Sequence, residues 1–200
     1  MTNRNTSSKT LTIAVSSVAI LITAISLGIV ALLPTLEVLS PMYEAAEKGS
    51  IDDYEARYIP SEAMQPTFEP NDRVLIHKKA YEKSTPKRGD IIIFNPVPKL
   101  REQNYTLPFI KRVIGLPGET IEIKNGKVYI DNQPIAENYI AEPPKYTTEP
   151  NKIPENSYFV LGDNRNNSHD SNYWGYVPEE LIIGKVVSLF FPPSRVREFD

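Results

Sequence analysis

A lysine set among apolar residues is the side chain in this sequence best suited to chemistry. Lys111 lies in the run FIKRVIG at residues 109–115, which is followed by the turn signal Pro117-Gly118. Removal of water from an ammonium disfavours its charged form and lowers its pKa, and a neutral lysine can act as a general base. The alternative is a strand-end lysine whose ammonium reaches water. Other segments of the chain are needed to choose between these two interpretations.

Three other short segments are rich in polar residues and in turn residues. In chain order, and with the lysine segment at 109–115 counted as the third polar segment, they are the first (IPSEAMQPTF, residues 59–68), the second (RGDIIIF, 88–94) and the fourth (GDNRNNSHDSN, 162–172). A neutral lysine is one of the few side chains that can replace histidine in activating a serine. Segments 59–68 and 162–172 contain serines, and together the three segments shift the balance toward a chemical role for the lysine.

Composition excludes several other classes of function. The chain has 200 residues, 40% of them hydrophobic, a net charge of −3 and no cysteine, so disulfides, thiolate catalysis and cysteine-based zinc sites are ruled out. Nucleic-acid binding is not expected without a basic excess. His77 and His169 are far apart and lack a metal-binding spacing, so no metal or other cofactor is predicted, and His169 is interpreted as a solvated loop residue.

A long apolar stretch near the N-terminus predicts a membrane span. Leu11–Leu33 contains 23 residues without a charge, and a helix rising about 1.5 Å per residue would cross a hydrocarbon core of roughly 30 Å. A cleaved signal peptide would have a shorter apolar core of about 7–15 residues. Arg4 and Lys9 precede the stretch, and acidic residues come first after it. The positive-inside rule therefore places residues 1–10 in the cytoplasm and the domain outside.

The remainder of the chain predicts a linker followed by a mainly β domain. Residues 34–56 are interpreted as a juxtamembrane linker or short helix, and the domain covers residues 57–200. Asn125-Gly126 between two strands is typical of a hairpin with a type I′ turn. The predicted strands are Arg57–Pro60, Asp72–His77, Asp90–Asn95, Ile110–Ile114, Thr120–Lys124, Lys127–Asp131, Tyr158–Leu161 and Ile182–Phe191.

The four polar segments and the apolar span resemble type I signal peptidase, a family of membrane-bound serine endopeptidases that remove signal peptides. The segments occur in the family's order and spacing, and the resemblance covers nearly the whole chain. It implies a β-rich catalytic domain after one transmembrane helix. It also implies that Lys111 is the general base, that Ser61 donates to the oxyanion beside the N–H of residue 63, and that Ser168 orients the lysine. Asp163 is implied to pair with Arg112.

Two residues depart from the family pattern. Ala63 stands where the family has its nucleophilic serine, and an alanine has no hydroxyl with which to form an acyl-enzyme. Asn172 stands where the family usually has an arginine that pairs with Asp170. Asp170 is then expected to turn either to Arg165 or to backbone donors.

The resemblance also implies shallow apolar pockets for small residues beside an extended groove. Plain core packing is the alternative for each candidate lining residue. A face rich in aromatic residues near the membrane would follow, with Trp174 and Phe190-Phe191 as candidates. The candidate pocket residues are Ile59, Met64, Phe68, Phe109 and Ile110.

Several functions remain open at this stage. The resemblance implies recognition of signal peptides and, in the family, their cleavage after small residues. It also implies a single-pass membrane protein whose domain faces the periplasm or the thylakoid lumen. Its expected partners are signal peptides and the lipid bilayer. A second possibility is an inactive membrane-anchored module that binds signal peptides or other partners. A third is a displaced nucleophile at Ser61, disfavoured because residues two apart on an extended strand are about 6.5 Å apart, whereas reacting atoms must approach to about 3–3.5 Å.

Overall fold

The computed structural model describes residues 51–199, which fold mainly as two antiparallel sheets. These residues belong to one unit that runs from Glu37 to Asp200. The predicted membrane span, the cytoplasmic N-terminus and most of the linker lie outside the described residues. In the part that is described, no helix is long and apolar enough to cross a membrane.

The larger sheet positions all four polar segments: the second and third contribute strands to it, and the first and fourth directly follow strands. Its strands are β1 (Tyr54–Tyr58), β2 (Arg73–His77), β3 (Ile91–Phe94), β4 (Phe109–Gly115), β9 (Ser157–Leu161), β10 (Val177–Pro178), β11 (Ile182–Phe191) and β12 (Arg197–Glu198). They are ordered β1-β2-β11-β3-β4-β9-β10, and β12 pairs with β11. The lysine segment is therefore a central strand with a neighbour on each side.

The smaller sheet is an insertion between β4 and β9. It consists of β5 (Thr120–Lys124), β6 (Lys127–Ile130), β7 (Gln133–Pro134) and β8 (Asn151–Lys152), in the order β7-β6-β5-β8. Within residues 51–199 the α-helices are the short segments α1 (Pro98–Glu102) and α2 (Ser171–Trp174), and single 3-10 turns cover Ile51–Asp53, Glu179–Leu181 and Pro193–Arg195.

Strand β3 shows why both faces of the larger sheet are covered. All four of its residues are buried, and successive side chains on a strand point to opposite faces. Ile91 and Ile93 belong to one hydrophobic cluster, with β2 and β11, while Ile92 and Phe94 belong to a second, with β9 and Trp174. A continuous apolar run is what such a doubly covered strand requires.

The predicted mainly β fold is confirmed, and each predicted strand is present with small shifts at its ends. The Asn125-Gly126 hairpin is also confirmed, since the two residues have φ of 51° and 70°. The first strand begins at Tyr54 and not at Arg57, because Tyr54 pairs with His77 and stacks on its ring at 4.7 Å. Strand β1 therefore begins inside the predicted linker.

Gly184 allows β11 to pass close to the end of β2, and this contact generates a stability prediction. A Cβ on Gly184 would lie 2.5 Å from the carbonyl oxygen of His77 and 2.9 Å from Cα of Lys78. Backbone atoms cannot rotate away, so we expect Gly184→Ala to destabilise the fold by about 1–3 kcal/mol. Chemical denaturation of the full chain measures this.

Gly115→Ala is the matched control. There the nearest atom to an added Cβ is the tip of the flexible Ile153 side chain, which can move. A loss at Gly115→Ala as large as that at Gly184→Ala would contradict the backbone explanation.

Candidate active site

A groove of about 570 Å³ brings the first and third polar segments together. Ser61, Ala63 and Lys111 all line this groove, although they come from segments about fifty residues apart in the chain. The predicted pocket residues Ile59, Met64, Phe109 and Ile110 also line it. The structure therefore places the predicted chemical residues beside a predominantly apolar surface.

Phe68 does not line the groove, and its prediction as a pocket residue is wrong. Its side chain has no exposed surface and lies in the first hydrophobic cluster. The edge of its ring meets the ring of Phe199, with centroids 5.3 Å apart. For Phe68 the alternative of core packing is correct.

Lys111 is held in a dry position on β4. It pairs with Ile92 on β3 and is 4% exposed. Its Nζ donates to the carbonyl oxygen of Ile110 at 3.1 Å and lies 5.7 Å from the centre of the Phe109 ring. Burial lowers the pKa of the Lys111 ammonium from 10.5 to about 8, against the opposing charges of Asp170 and Asp163. An amine with this pKa is partly neutral under mild conditions, as a general base requires.

Residue 63 is fixed through its backbone. The carbonyl oxygen of Ala63 accepts a hydrogen bond from the N–H of Asn164 at 3.2 Å. Gly162 approaches so closely that a Cβ there would collide with this same oxygen and with Oγ of Ser168. Only a glycine at residue 162 permits the first and fourth polar segments to touch at this point.

Ser168 lies beside this contact, but its hydroxyl is not bonded to Lys111. Among the described residues, its buried Oγ has no partner with hydrogen-bond geometry, although it is near enough to Asp170 to favour the charged form of that carboxyl. The proposed role of Ser168 in orienting the lysine therefore stays a prediction.

Arg112 and Asp163 form the expected ion pair, in a buried position. Arg112 Nε and Nη2 donate to the two carboxylate oxygens at 2.8 and 2.6 Å, and Nη1 donates to the carbonyl of Gly89 at 2.8 Å. The hydroxyl of Thr67 donates to Asp163 at 2.5 Å. The pair thus links β4 to the first, second and fourth polar segments.

Asp170 turns to backbone donors, one of the two expectations for it. Its Oδ2 accepts from the N–H of Gly162 at 3.1 Å, and its Oδ1 accepts from the N–H of Asn172 at 3.2 Å at the start of α2. Burial raises the pKa of the Asp170 carboxyl. The other expectation, a pair with Arg165, is wrong.

Arg165 pairs instead with Glu137, a residue that the sequence did not single out. Its Nη1 and Nη2 donate to the Glu137 carboxylate at 2.8 and 2.5 Å, and its Nε donates to the carbonyl of Gly162 at 3.1 Å. The ring of Tyr139 lies 4.1 Å from the guanidinium of Arg112 and 5.9 Å from that of Arg165. No local spacing marks Glu137 or Tyr139, because both contacts join residues far apart in the chain.

Two aromatic predictions need qualification or correction. His169 lies in a loop, as predicted, but it is only partly exposed, because it lines the groove and lies near the rings of Tyr105 and Tyr173, at 5.9 and 5.3 Å. Trp174 is 5% exposed and packs against Phe94 in the core, which excludes it from a membrane-facing surface.

The buried lysine predicts a pH dependence of stability. The unfolded chain holds the Lys111 proton up to about pH 10.5, whereas the folded chain releases it near pH 8. Stability should therefore rise between these pH values, by an amount on the order of 3 kcal/mol. Denaturation of the protein and of Lys111→Met across this range measures the effect. The difference between the two stabilities would stay constant if the pKa of Lys111 were ordinary.

The Arg165–Glu137 pair predicts a large loss of stability when one partner is removed. Both side chains are almost inaccessible, with 0% and 5% exposed, so Glu137→Gln leaves an unpaired buried charge at a cost of about 3–5 kcal/mol. Glu142→Gln is the control, because Glu142 pairs with Lys145 at the surface and its loss should change little. Equal losses in thermal denaturation would contradict the assignment.

Comparison with known proteins gives a consistent family assignment. A sequence model of the family described as signal peptidase, peptidase S26, matches residues 52–191. A signal peptidase I of Leptolyngbya laminosa is 56% identical over 146 residues, which are 72% of this chain and 72% of that protein. Signal peptidase I T of Bacillus subtilis is 33% identical over 156 residues, 72% of this chain and 78% of that protein.

A plant relative is also similar. Thylakoidal processing peptidase 1 of Arabidopsis thaliana is 39% identical over 149 residues, which are 72% of this chain but 44% of that longer protein. The match to the family covers the groove, the lysine strand and both buried ion pairs. The chain therefore belongs to the signal peptidase family, peptidase S26, a family of peptide-bond hydrolases.

Proposed function

We propose that this protein recognises the signal peptides of exported preproteins in the groove, and that it binds them without forming an acyl-enzyme at residue 63. The observation that carries the proposal is the meeting of Lys111 and Ala63 at one apolar groove. Lys111, which matches the general base of the family, is present and shielded from water. The hydroxyl that it would activate is missing at Ala63.

The groove suits an extended segment that ends in small residues. Ile59 and Met64 are each 2% exposed and line the groove together with Phe109 and Ile110. These side chains give the groove an apolar lining beside residue 63, which suits small apolar side chains. A cleavage site of the type Ala-x-Ala is the expected ligand.

The remaining site residues support the same chemistry. Ser61 is exposed in the groove, where its hydroxyl can donate to the oxygen of a bound scissile carbonyl. The N–H of residue 63 is a second donor of this kind, and one such donor contributes roughly 2.7–4 kcal/mol to an acyl-transfer transition state. Neither donor depends on the side chain at residue 63.

A displaced nucleophile at Ser61 is the second candidate. The argument against it assumed an extended chain, but residues 61–67 form bends and turns, with the N–H of Gln65 bonded to the carbonyl of Glu62 at 3.0 Å. The distance expected for an extended strand therefore does not apply, and experiment has to decide.

Membrane association follows from the same proposal. The apolar residues 11–33 would form a single span with the domain on the extracytoplasmic side, in contact with the lipid bilayer. The thylakoidal name of the Arabidopsis relative and the cyanobacterial source of a second relative support a membrane setting, either the plasma membrane or the thylakoid. Exposed Phe191, 41% accessible, remains a candidate for the membrane-facing surface.

The test compares the protein with Ala63→Ser on a preprotein bearing an Ala-x-Ala site, in detergent. Alanine and serine occupy similar space, so we expect the dissociation constants from titration calorimetry to agree within about threefold, roughly 0.7 kcal/mol. Only Ala63→Ser should release product, and its rate should rise with pH through about 8 as Lys111 becomes neutral. Adding Lys111→Met should abolish this cleavage.

The contrary outcomes are distinct. Cleavage by the unmodified protein that disappears in Ser61→Ala would establish Ser61 as the nucleophile. Absence of peptide binding by both forms would favour a module that interacts with other partners. In the Ala63→Ser background, Ser61→Ala should slow cleavage by about 10²–10³ if Ser61 is an oxyanion donor.

A further inference from the structure

The last described residues have contacts that the family match does not include. The match ends at residue 191, and Pro192–Phe199 continues across the larger sheet as a 3-10 turn followed by β12. We call Pro192–Phe199 the C-terminal strap. It meets the chain just after residue 63, at Thr67 and Phe68.

We propose that the C-terminal strap positions the segment that carries residue 63, by holding the backbone carbonyl of Thr67. Arg197 and Arg195 are the positioning residues. This inference extends the proposed function, because the segment that is positioned is the one expected to present the reacting residue to a bound peptide.

The hydrogen bonds to Thr67 carry the proposal. Arg197 Nη2 donates to the carbonyl oxygen of Thr67 at 2.7 Å, and Arg195 Nη2 lies 3.5 Å from the same oxygen. A hydrogen bond from a charged donor is shorter and stronger than one between neutral groups. In the part of the chain that is described, Arg197 forms no ion pair, so this carbonyl is its principal polar partner.

Arg195 fixes the C-terminal strap to Asp72, in the turn that follows the first polar segment. Its guanidinium donates to both carboxylate oxygens of Asp72 at 2.9 to 3.2 Å. Asp72 is 2% exposed, and it accepts from the N–H of Glu69 at 2.8 Å. The N–H of Ile59 donates to the carbonyl of Asp72 at 2.8 Å. One ion pair thus connects the strap to both ends of the first polar segment.

The strap has its own attachment to the sheet. Its residue Phe199 donates its N–H to the carbonyl of Val187 at 2.8 Å, and β12 pairs with β11. The Phe199 ring packs edge-on against Phe68, which is fully buried. Because the strap is paired with the ten-residue strand β11, the backbone positions of Arg195 and Arg197 are fixed relative to the larger sheet.

Thr67 connects the strap to the residues around Lys111 through hydrogen bonds on both of its sides. Its carbonyl faces the strap, whereas its hydroxyl donates to Asp163, the partner of Arg112 beside Lys111. The N–H of Phe68 bonds back to the carbonyl of Met64 at 2.9 Å. Displacement of the Thr67 carbonyl would therefore shift the turn that contains Met64 and Ala63 relative to the base.

Catalytic geometry is sensitive to such shifts, since a misplacement of about 1 Å can cost about 10²-fold in rate. Loss of the strap contact should accordingly affect the chemical step more than binding. The groove residues Phe109 and Ile110 lie on β4, away from the strap contact, and should continue to bind peptide.

The first experiment uses hydrogen exchange in the full-length protein with Ala63 retained. In Arg197→Gln we expect the amides of Gln65 and Phe68 to exchange at least about tenfold faster, because their turn loses its outer support. The amide of Ile123, in the smaller sheet, should be unchanged. Arg197→Lys should recover part of the protection, since an ammonium can also donate to the carbonyl.

Arg73→Gln is the matched control. Arg73 is an exposed arginine of the same sheet whose guanidinium lies over the Phe191 ring at 5.0 Å. It should leave the exchange of Gln65 and Phe68 unchanged. Unchanged exchange of Gln65 and Phe68 in Arg197→Gln would overturn the proposal, because Arg197 would then have no effect on the turn. Equal acceleration at Ile123 would also overturn it, because Arg197 would then act only through global stability.

The second experiment measures kinetics in the Ala63→Ser background. Adding Arg197→Gln should lower kcat about tenfold and change KM less than about threefold, which is the pattern of a lost transition-state geometry. Equal kcat values would overturn the positioning role. If Ala63→Ser binds peptide but does not cleave it, the chemical part of the proposed function fails, and the exchange experiment still decides the role of the strap.

Discussion

The buried ion pair between Arg112 and Asp163 is the interaction on which the rest of the site depends. Separate segments meet at it: the lysine strand through Arg112, the loop of the fourth segment through Asp163, and the turn of the first segment through Thr67. With Asp163 1% and Arg112 8% exposed, loss of either partner would leave a charge without water or a counterion. Proper placement of Lys111 therefore requires that the whole set assemble together.

A second buried ion pair, between Arg165 and Glu137, holds the loop of the fourth segment. The Asn172 side chain cannot form the ion pair with Asp170 that an arginine would form, and Asp170 instead accepts the backbone N–H groups of Gly162 and of Asn172 itself. Arg165 ties this loop to Glu137, in the connection between β7 and β8, and to the carbonyl of Gly162. Tyr139 lies against both guanidiniums and donates to Glu137, so the two ion pairs share one aromatic neighbour.

Local sequence signals were sufficient for the fold and for the identity of the central strand. β3 and β4 have apolar runs, and Asn125-Gly126 encodes its own turn, so their positions follow from short-range rules. Glu137, Tyr139 and Arg197 could not be predicted in this way, because their roles arise from contacts between distant segments. Phe68 and Trp174 were misassigned for a related reason: an aromatic residue looks the same in a sequence whether it lines a groove or fills a core.

The contacts that fix residue 63, including the close approach of Gly162, involve its backbone and not its side chain. The carbonyl of residue 63 is held by Asn164 and by contact with Gly162, and none of these contacts involves the methyl group of alanine. Codons of the GCN series for alanine and of the TCN series for serine differ by one base. A single transversion in an alanine codon of the gene would therefore place a hydroxyl at residue 63 without disturbing the contacts that hold its backbone.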